Sequence, residues 1–204
     1  MYKSSETEYI ISRSRFIGRC FPVKDEEAAL SLLADIRKKH WDATHNCFAY
    51  RIGQRAEIAR FSDDGEPGGT AGMPIMDALR SKDLTDVLVV VTRYFGGILL
   101  GAGGLVRAYS RSAADAVSQA GVVSFIPAKE VSLSMDYSRY GSMEQYLRAA
   151  AQVEDVVFAE NVTLRLTVAE DRLDTFIKDV TERSDGRCIP EVIGEEYLRV
   201  IEGQ

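Results

Sequence analysis

The sequence predicts an α+β protein built of two α/β-sandwich domains, and three observations carry that reading. The second half orders its apolar runs β-α-β-β-α-β, the ferredoxin-like pattern. The first half contains "VLVVV", 87–91, a continuous aliphatic run of the kind buried on both faces of a sheet, and a long amphipathic helix follows it. Between the halves, Pro127 follows a helix that stops at Gly121. The charge also changes there: residues 1–125 carry a net +1 and residues 126–204 a net −7. The expected domains are 1–126 and 127–204.

Each element has its own signal. Alternation in "SRFIGRCFPV", 14–23, reads as a strand. In "DEEAALSLLADIRKKH", Ala29, Leu32, Leu33 and Ile36 fall at helical spacing, with acids leading and bases closing. "THNCFAYRIG" and "EIARFSDD" are short β runs either side of Gly53-Gln54, a hairpin signal. "GEPGGTAGMP" is a loop, and "PIMDALRSKD" is a short helix with Ile75, Met76 and Leu79 inward. After strand 87–91 and a glycine-rich stretch, Leu105, Val106, Tyr109, Ala113, Ala116, Val117 and Ala120 form one helical face that Gly121 ends.

In the second half "AKEVSLSMDY" alternates as a strand. Tyr140, Met143, Tyr146, Leu147 and Ala150 mark a helix. "VEDVVFAE" and "NVTLRLTVAE" meet in a hairpin at Glu160-Asn161. Leu173, Phe176, Ile177 and Val180 mark a second helix, and "EEYLRVI" closes as a strand.

Composition narrows the function. At 46% hydrophobic and 27% charged, the 204 residues are ordinary for a globular protein. No apolar run approaches the ~20 residues that span a bilayer, and the N-terminus lacks a signal-peptide core, so the expected location is the cytoplasm, with no membrane partner. Cys20, Cys47 and Cys188 are scattered and form no Cys-x-x-Cys pair. Neither half has the basic excess of a typical nucleic-acid binder, and no DNA is expected.

Four motifs in the first half can carry chemistry. "HWDATHNCFAY" holds the two histidines, His40 and His45; His45 begins a strand and reads as a proton shuttle or metal ligand, or as a strand-end histidine bonded to backbone. "SDDGEPGGTAGMP" places the carboxylates Asp63, Asp64 and Glu66 within four positions. It reads equally as turn chemistry or as a functional loop, with Thr70 a candidate cap whose neighbouring amides can take an anion. "TRYFGGILLGAGGLVRAY" lacks the Lys-Ser/Thr of a phosphate loop and the third glycine of a dinucleotide fingerprint. It remains a strand–loop–helix whose candidate anion ligands are Arg93, Tyr94, Gly96, Gly97, Gly101, Gly103, Gly104 and Arg107. Arg93, Arg107 and Arg111 form an arginine set, a residue type suited to phosphates and as often simply solvated. No metal site and no cofactor are expected, and no nucleophile arrangement points to an enzyme.

At these motifs the chain resembles the IMPACT family. "RFIG" (15–18), "ATHNCFAYRIG" (43–53), "SDDGEPGGTAGMPI" (62–75) and "VVVTRYFGGILLGAGGLVRAYSRSA" (89–113) carry the resemblance, the last most specifically, and it covers most of residues 14–115. The second half resembles the small C-terminal domain of bacterial two-domain members, mainly in its element order. The resemblance implies a first domain like domain 2 of a small-subunit ribosomal protein, as in GHMP kinases and domain IV of elongation factor G, with a left-handed βαβ crossover. It implies a second domain like the ferredoxin-like domain V of that factor. Eukaryotic members regulate translation by competing for an activator of an initiation-factor kinase.

The resulting expectation is a non-enzymatic binding protein linked to regulation of translation, with the ribosome, structured RNA or a translation-associated protein as partner. The alternatives are an adaptor using the acidic C-terminal sheet, or a small-molecule or phosphate-ligand protein or enzyme. The last would use a cleft between His45, the 62–70 loop and the 96–104 glycine loop.

Overall fold

The computed structural model describes residues 1–201, which form two compact units, Met1–Val123 with Ile201, and Ser124–Val200. Each is α+β with one antiparallel sheet.

The first unit's sheet contains β1 (Ser5–Ile11), β2 (Ser14–Pro22), β3 (His45–Ile52), β4 (Ile58–Ser62) and β5 (Val87–Tyr94), in the order β1-β2-β5-β3-β4. Its helices are α1 (Glu26–Lys39), α2 (Gly72–Arg80) and α3 (Gly101–Ala120). Ala29, Leu33 and Ile36 of α1 pack on Tyr50, Leu88 and Val90 from one side of the sheet. From the other side α2 and α3 set Ile75, Met76, Leu79, Tyr109 and Ala113 against Phe16, Cys47, Val89 and Val91. With a helix layer on both faces, the central strand β5 is buried along its aliphatic run, as its unbroken pattern requires.

Strand alternation decides which polar residues meet. In the β3–β5 register His45 lies opposite Arg93 and Asn46 opposite Thr92. His45, Cys47 and Arg93 therefore face the α2/α3 side, while Asn46, Thr92 and Tyr94 face the α1 side.

The second unit contains β6 (Val123–Met135) from its second residue, α4 (Tyr137–Ala150), β7 (Gln152–Phe158), β8 (Val162–Ala169), α5 (Leu173–Arg183) and β9 (Glu191–Ile201) up to Val200, with sheet order β7-β8-β6-β9. This is the ferredoxin-like arrangement. Val131, Leu133, Leu164 and Leu166 form its core with Met143, Leu147, Phe176 and Val180 of the two helices.

Four local features differ from the sequence reading. The charged stretch 5–11 is a strand, β1, on the sheet edge. Its alternate residues Tyr9 and Ile11 pack on the core while Glu6 and Glu8 face out, so its apolar content is too low to read as a strand. α2 begins at Gly72, two residues before the expected run. Val106 is exposed instead of facing inward. β6 starts at Val123 and runs through Pro127, which sits just before the ladder with β8 begins at Ala128 and so removes no bond from it.

Candidate functional site

A cleft of about 350 Å³ opens in the first unit at the end of β3 and β5, lined by Thr44, His45, Glu66, Arg93, Phe95 and residues 99–102 of the glycine stretch. That volume suits a side chain or a small ligand.

The floor is built from β5 outward. Arg93 is buried, its Nη1 donating to Glu66 Oε1 at 2.7 Å and its Nη2 to Ser14 Oγ at 3.4 Å. Phe16 and Phe95 flank its guanidinium, each ring centroid 5.4 Å away. Tyr109, wholly buried on α3, donates its hydroxyl to the same Glu66 oxygen at 2.7 Å. Burial, then the neighbouring Cys47 and Glu66, raise the Tyr109 hydroxyl pKa far above its ordinary value, so it is a fixed donor. Cys47 donates to the Asp63 carbonyl at 3.0 Å. Burial pushes its thiol up to about 12, making it an inert core group.

His45 sits at the rim with its ring fixed. Its Nδ1 lies 2.8 Å from the Asp64 carbonyl, which can only accept, so Nδ1 carries the proton and Nε2 of the neutral ring is the acceptor. Gly65, at φ +87°, allows the close approach: a Cβ there would lie 3.4 Å from His45 Nδ1. His45 Nε2 and the second Glu66 oxygen, Oε2, stand 3.8 Å apart, beyond hydrogen-bond reach, and both residues line the cleft.

The acidic loop is divided among three structural tasks. The Asp63 carboxylate accepts from the backbone N–H groups of Gly69, Ala71 and Gly72 at 2.8–3.0 Å and so caps α2. Burial opposes its charged form, but these three bonds outweigh it and hold its pKa low. Asp64 accepts from the Asn46 N–H and from Arg37, leaving Glu66 to enter the cleft. Thr70 does not cap the helix: its hydroxyl bonds back to the Pro67 carbonyl, and Ala71 is the N-cap. The amides read as an anion site are occupied by the protein's own Asp63.

The other candidates separate. Tyr94 lies on the opposite sheet face, bonded to His40 Nδ1 at 2.9 Å and Asp42 at 3.3 Å. Arg107 is exposed on α3, outside the cleft, and Arg111 pairs with Asp115 and stacks on Tyr9. Of the five glycines only Gly101 lines the cleft. Gly96 is required elsewhere, since a Cβ there would overlap the Arg13 backbone, and a Cβ on Gly104 would press on Leu100 at 3.0 Å. Among the described residues no group of three or more His, Cys, Asp or Glu is placed to hold a metal, and no helix is long and apolar enough to cross a membrane.

A second polar cluster, on the α1 side, joins residues the sequence reading left apart. Arg19 is buried and donates to Glu6 at 2.7 Å and Thr92 at 3.0 Å, while its Nη2 lies 2.7 Å from His40 Nε2. His40 thus accepts from Arg19 and donates to Tyr94. Burial, then the Arg19 charge, lower its pKa. An inward arginine inside an otherwise apolar strand was the signal available.

The geometry can be set beside known proteins. Residues 12–117 match the Impact N-terminal domain model and residues 133–187 match a domain of unknown function, DUF1949. The chain is 40% identical over 186 residues to the IMPACT family member YvyE of Bacillus subtilis, covering 91% of this chain and 86% of that protein. It is 33% identical to YigZ of Escherichia coli, covering 86% and 88%. Protein IMPACT of Xenopus laevis is 38% identical over 94 residues, 44% of this chain and 30% of that one. A crystal structure of a hypothetical protein, 31% identical, superposes with a TM-score of 0.58 over 95% of this chain and 96% of that chain.

Proposed function

The chain belongs to the IMPACT family, and from that premise we propose that it is a non-enzymatic binding protein linked to regulation of translation, whose partner is a translation-associated protein docked on the glycine-loop cleft. The observation that carries this reading is the character of the cleft and its rim. Phe95, Ile98 and Leu99 are exposed beside it, Leu99 at 85%. Arg93, the cation in its wall, is bonded to Glu66 and covered by two rings. An apolar rim around a neutralised floor suits a protein surface, where aromatic and aliphatic anchors supply the binding energy. Phosphate recognition needs free cations or free helix amides; here Arg93 is paired, Arg107 lies outside the cleft and the α2 amides hold Asp63, which leaves the uncapped first turn of α3 at Gly101 and Ala102 as the one source of helix amides at the cleft. One helix terminus without a free cation weighs against rRNA and against a phosphate-bearing ligand.

The test is recovery of partners on the full-length protein and on Leu99→Asp, with mass spectrometry and gradient sedimentation of the same samples. Ribosomal proteins or translation factors recovered by the wild type and lost from a folded Leu99→Asp support the reading. Recovery that is unaffected by Leu99→Asp, or that disappears on RNase treatment, overturns it.

A further inference from the structure

We propose that the cleft recognises a primary ammonium group on an aliphatic stem, with Glu66 Oε2 and His45 Nε2 as its acceptors. This rests on the reading of the cleft as a docking site and names the chemistry seated there. Glu66 is a carboxylate whose side chain is only 2% exposed, yet its hydrogen bonds both fall on Oε1. Among the described residues Oε2 receives none, and Glu66 lines the cleft, so this oxygen is open to a donor from outside the protein. In the neutral ring the Nδ1 bond to Asp64 leaves His45 Nε2 as an acceptor, and among the described residues it likewise receives no hydrogen bond. Two unfilled acceptors 3.8 Å apart are spanned by one nitrogen donating to both.

An ammonium fits better than the other donors. It offers three N–H bonds from one small centre, whereas guanidinium is planar, and its five donors need more acceptors than these two. An anion would meet these two lone pairs, with no free cation and only the first turn of α3 in its favour. The Arg93 charge is balanced by Glu66 through Oε1 and lies between Phe16 and Phe95, which leaves Oε2 as the uncommitted carboxylate oxygen. Phe95, Leu99, Leu100 and Leu105 supply apolar walls for a methylene stem. Such a group comes either from a lysine of the partner or from a free alkylamine.

The experiment is an NMR titration of the full-length, isotope-labelled protein with n-butylammonium, with 1-butanol, and with Nα-acetyl-lysine amide and its Nε-acetyl form. Shifts at His45, Glu66 and Gly101–Leu105 are expected with the two ammonium compounds and not with butanol or the Nε-acetyl form. His45→Phe is expected to weaken ammonium binding about tenfold, the loss of one hydrogen bond to a charged group, and Glu66→Gln by at least as much if it folds. Tighter binding of the lysine amide identifies a protein side chain as the source; equal or tighter binding of butylammonium identifies a free amine. Equal shifts from butanol, or no shift from either ammonium, overturn the proposal without recourse to any variant. The docking reading fails separately: a silent ammonium titration with Leu99→Asp still losing its partners removes this inference alone, and the reverse removes the docking reading alone.

Discussion

Glu66 and His40 are the residues whose environments make the sharpest individual demands. Glu66 neutralises Arg93 where both side chains are more than nine-tenths buried. Glu66→Ala leaves a buried guanidinium without its carboxylate, and the expected loss is about 3–5 kcal/mol in urea unfolding. A loss under ~1 kcal/mol would mean that Arg93 reaches another partner or water. His40 titrates against its surroundings: burial first, then Arg19 on β2 and Lys39 on α1, oppose its positive charge, while Glu6 on β1 and Asp42 favour it less strongly. Protonation also removes the acceptor that Arg19 uses. The folded pKa lies below the unfolded one, so in acid the unfolded chain binds a proton that the folded chain resists. The His40 contribution is therefore intact above about pH 6.5 and is lost as the pH falls through the folded value. Melting between pH 7.5 and pH 5 should show a decline that His40→Gln reduces. Glu6, held low mainly by its bond from Arg19, and Asp63 titrate below that window. An identical decline in His40→Gln would assign the effect elsewhere.

At the scale of elements, α2 depends on a carboxylate nine residues upstream of its first residue. Asp63→Ala orphans three N–H groups at once, and about 2 kcal/mol is expected, the upper end for a lost cap, read as a lower unfolding midpoint with an unchanged slope. Gly96→Ala should be more harmful, because its Cβ would enter the Arg13 backbone at the β1–β2 turn; a soluble, fully stable variant would refute that. These examples mark what was legible. The aliphatic run of β5 and the stripe of α3 declare themselves, because burial on a helix-covered sheet leaves a periodic trace. The Asp63 cap leaves none, since Asp-Gly reads as a turn whether or not its carboxylate reaches a helix. His45, Glu66 and Arg93 line one cleft, since adjacent strands carry two of them and the intervening loop the third, but Asp63 and Asp64, expected beside them, turn to α2 and to Asn46 and Arg37 instead. Tyr94 could not be separated from Arg93 by composition; strand alternation sends consecutive residues to opposite faces. The Arg19–His40–Tyr94 cluster gathers residues up to 75 positions apart, and nothing local announces it.

At the scale of the whole molecule, charge and core layout bear on the partner. The chain's −6 is made of −7 beyond residue 125 and +1 before it, so the half that holds the cleft is near neutral. Binding through phosphates releases counterions: a protein making 6–10 such contacts loses about 10³–10⁵ in affinity between 50 and 200 mM salt. Docking through Phe95 and Leu99 has no such term, and capture of the partner should change less than about tenfold over that range, before and after RNase. The two cores also draw on separate residues, those of the first unit ending at Val122 and those of the second running from Val131 to Cys188. A fragment of residues 1–126 should therefore unfold cooperatively on its own and retain Leu99-dependent capture. A thousandfold salt loss in the full chain would move the partner to nucleic acid, while a folded fragment that captures nothing would move the docking surface to the acidic second unit.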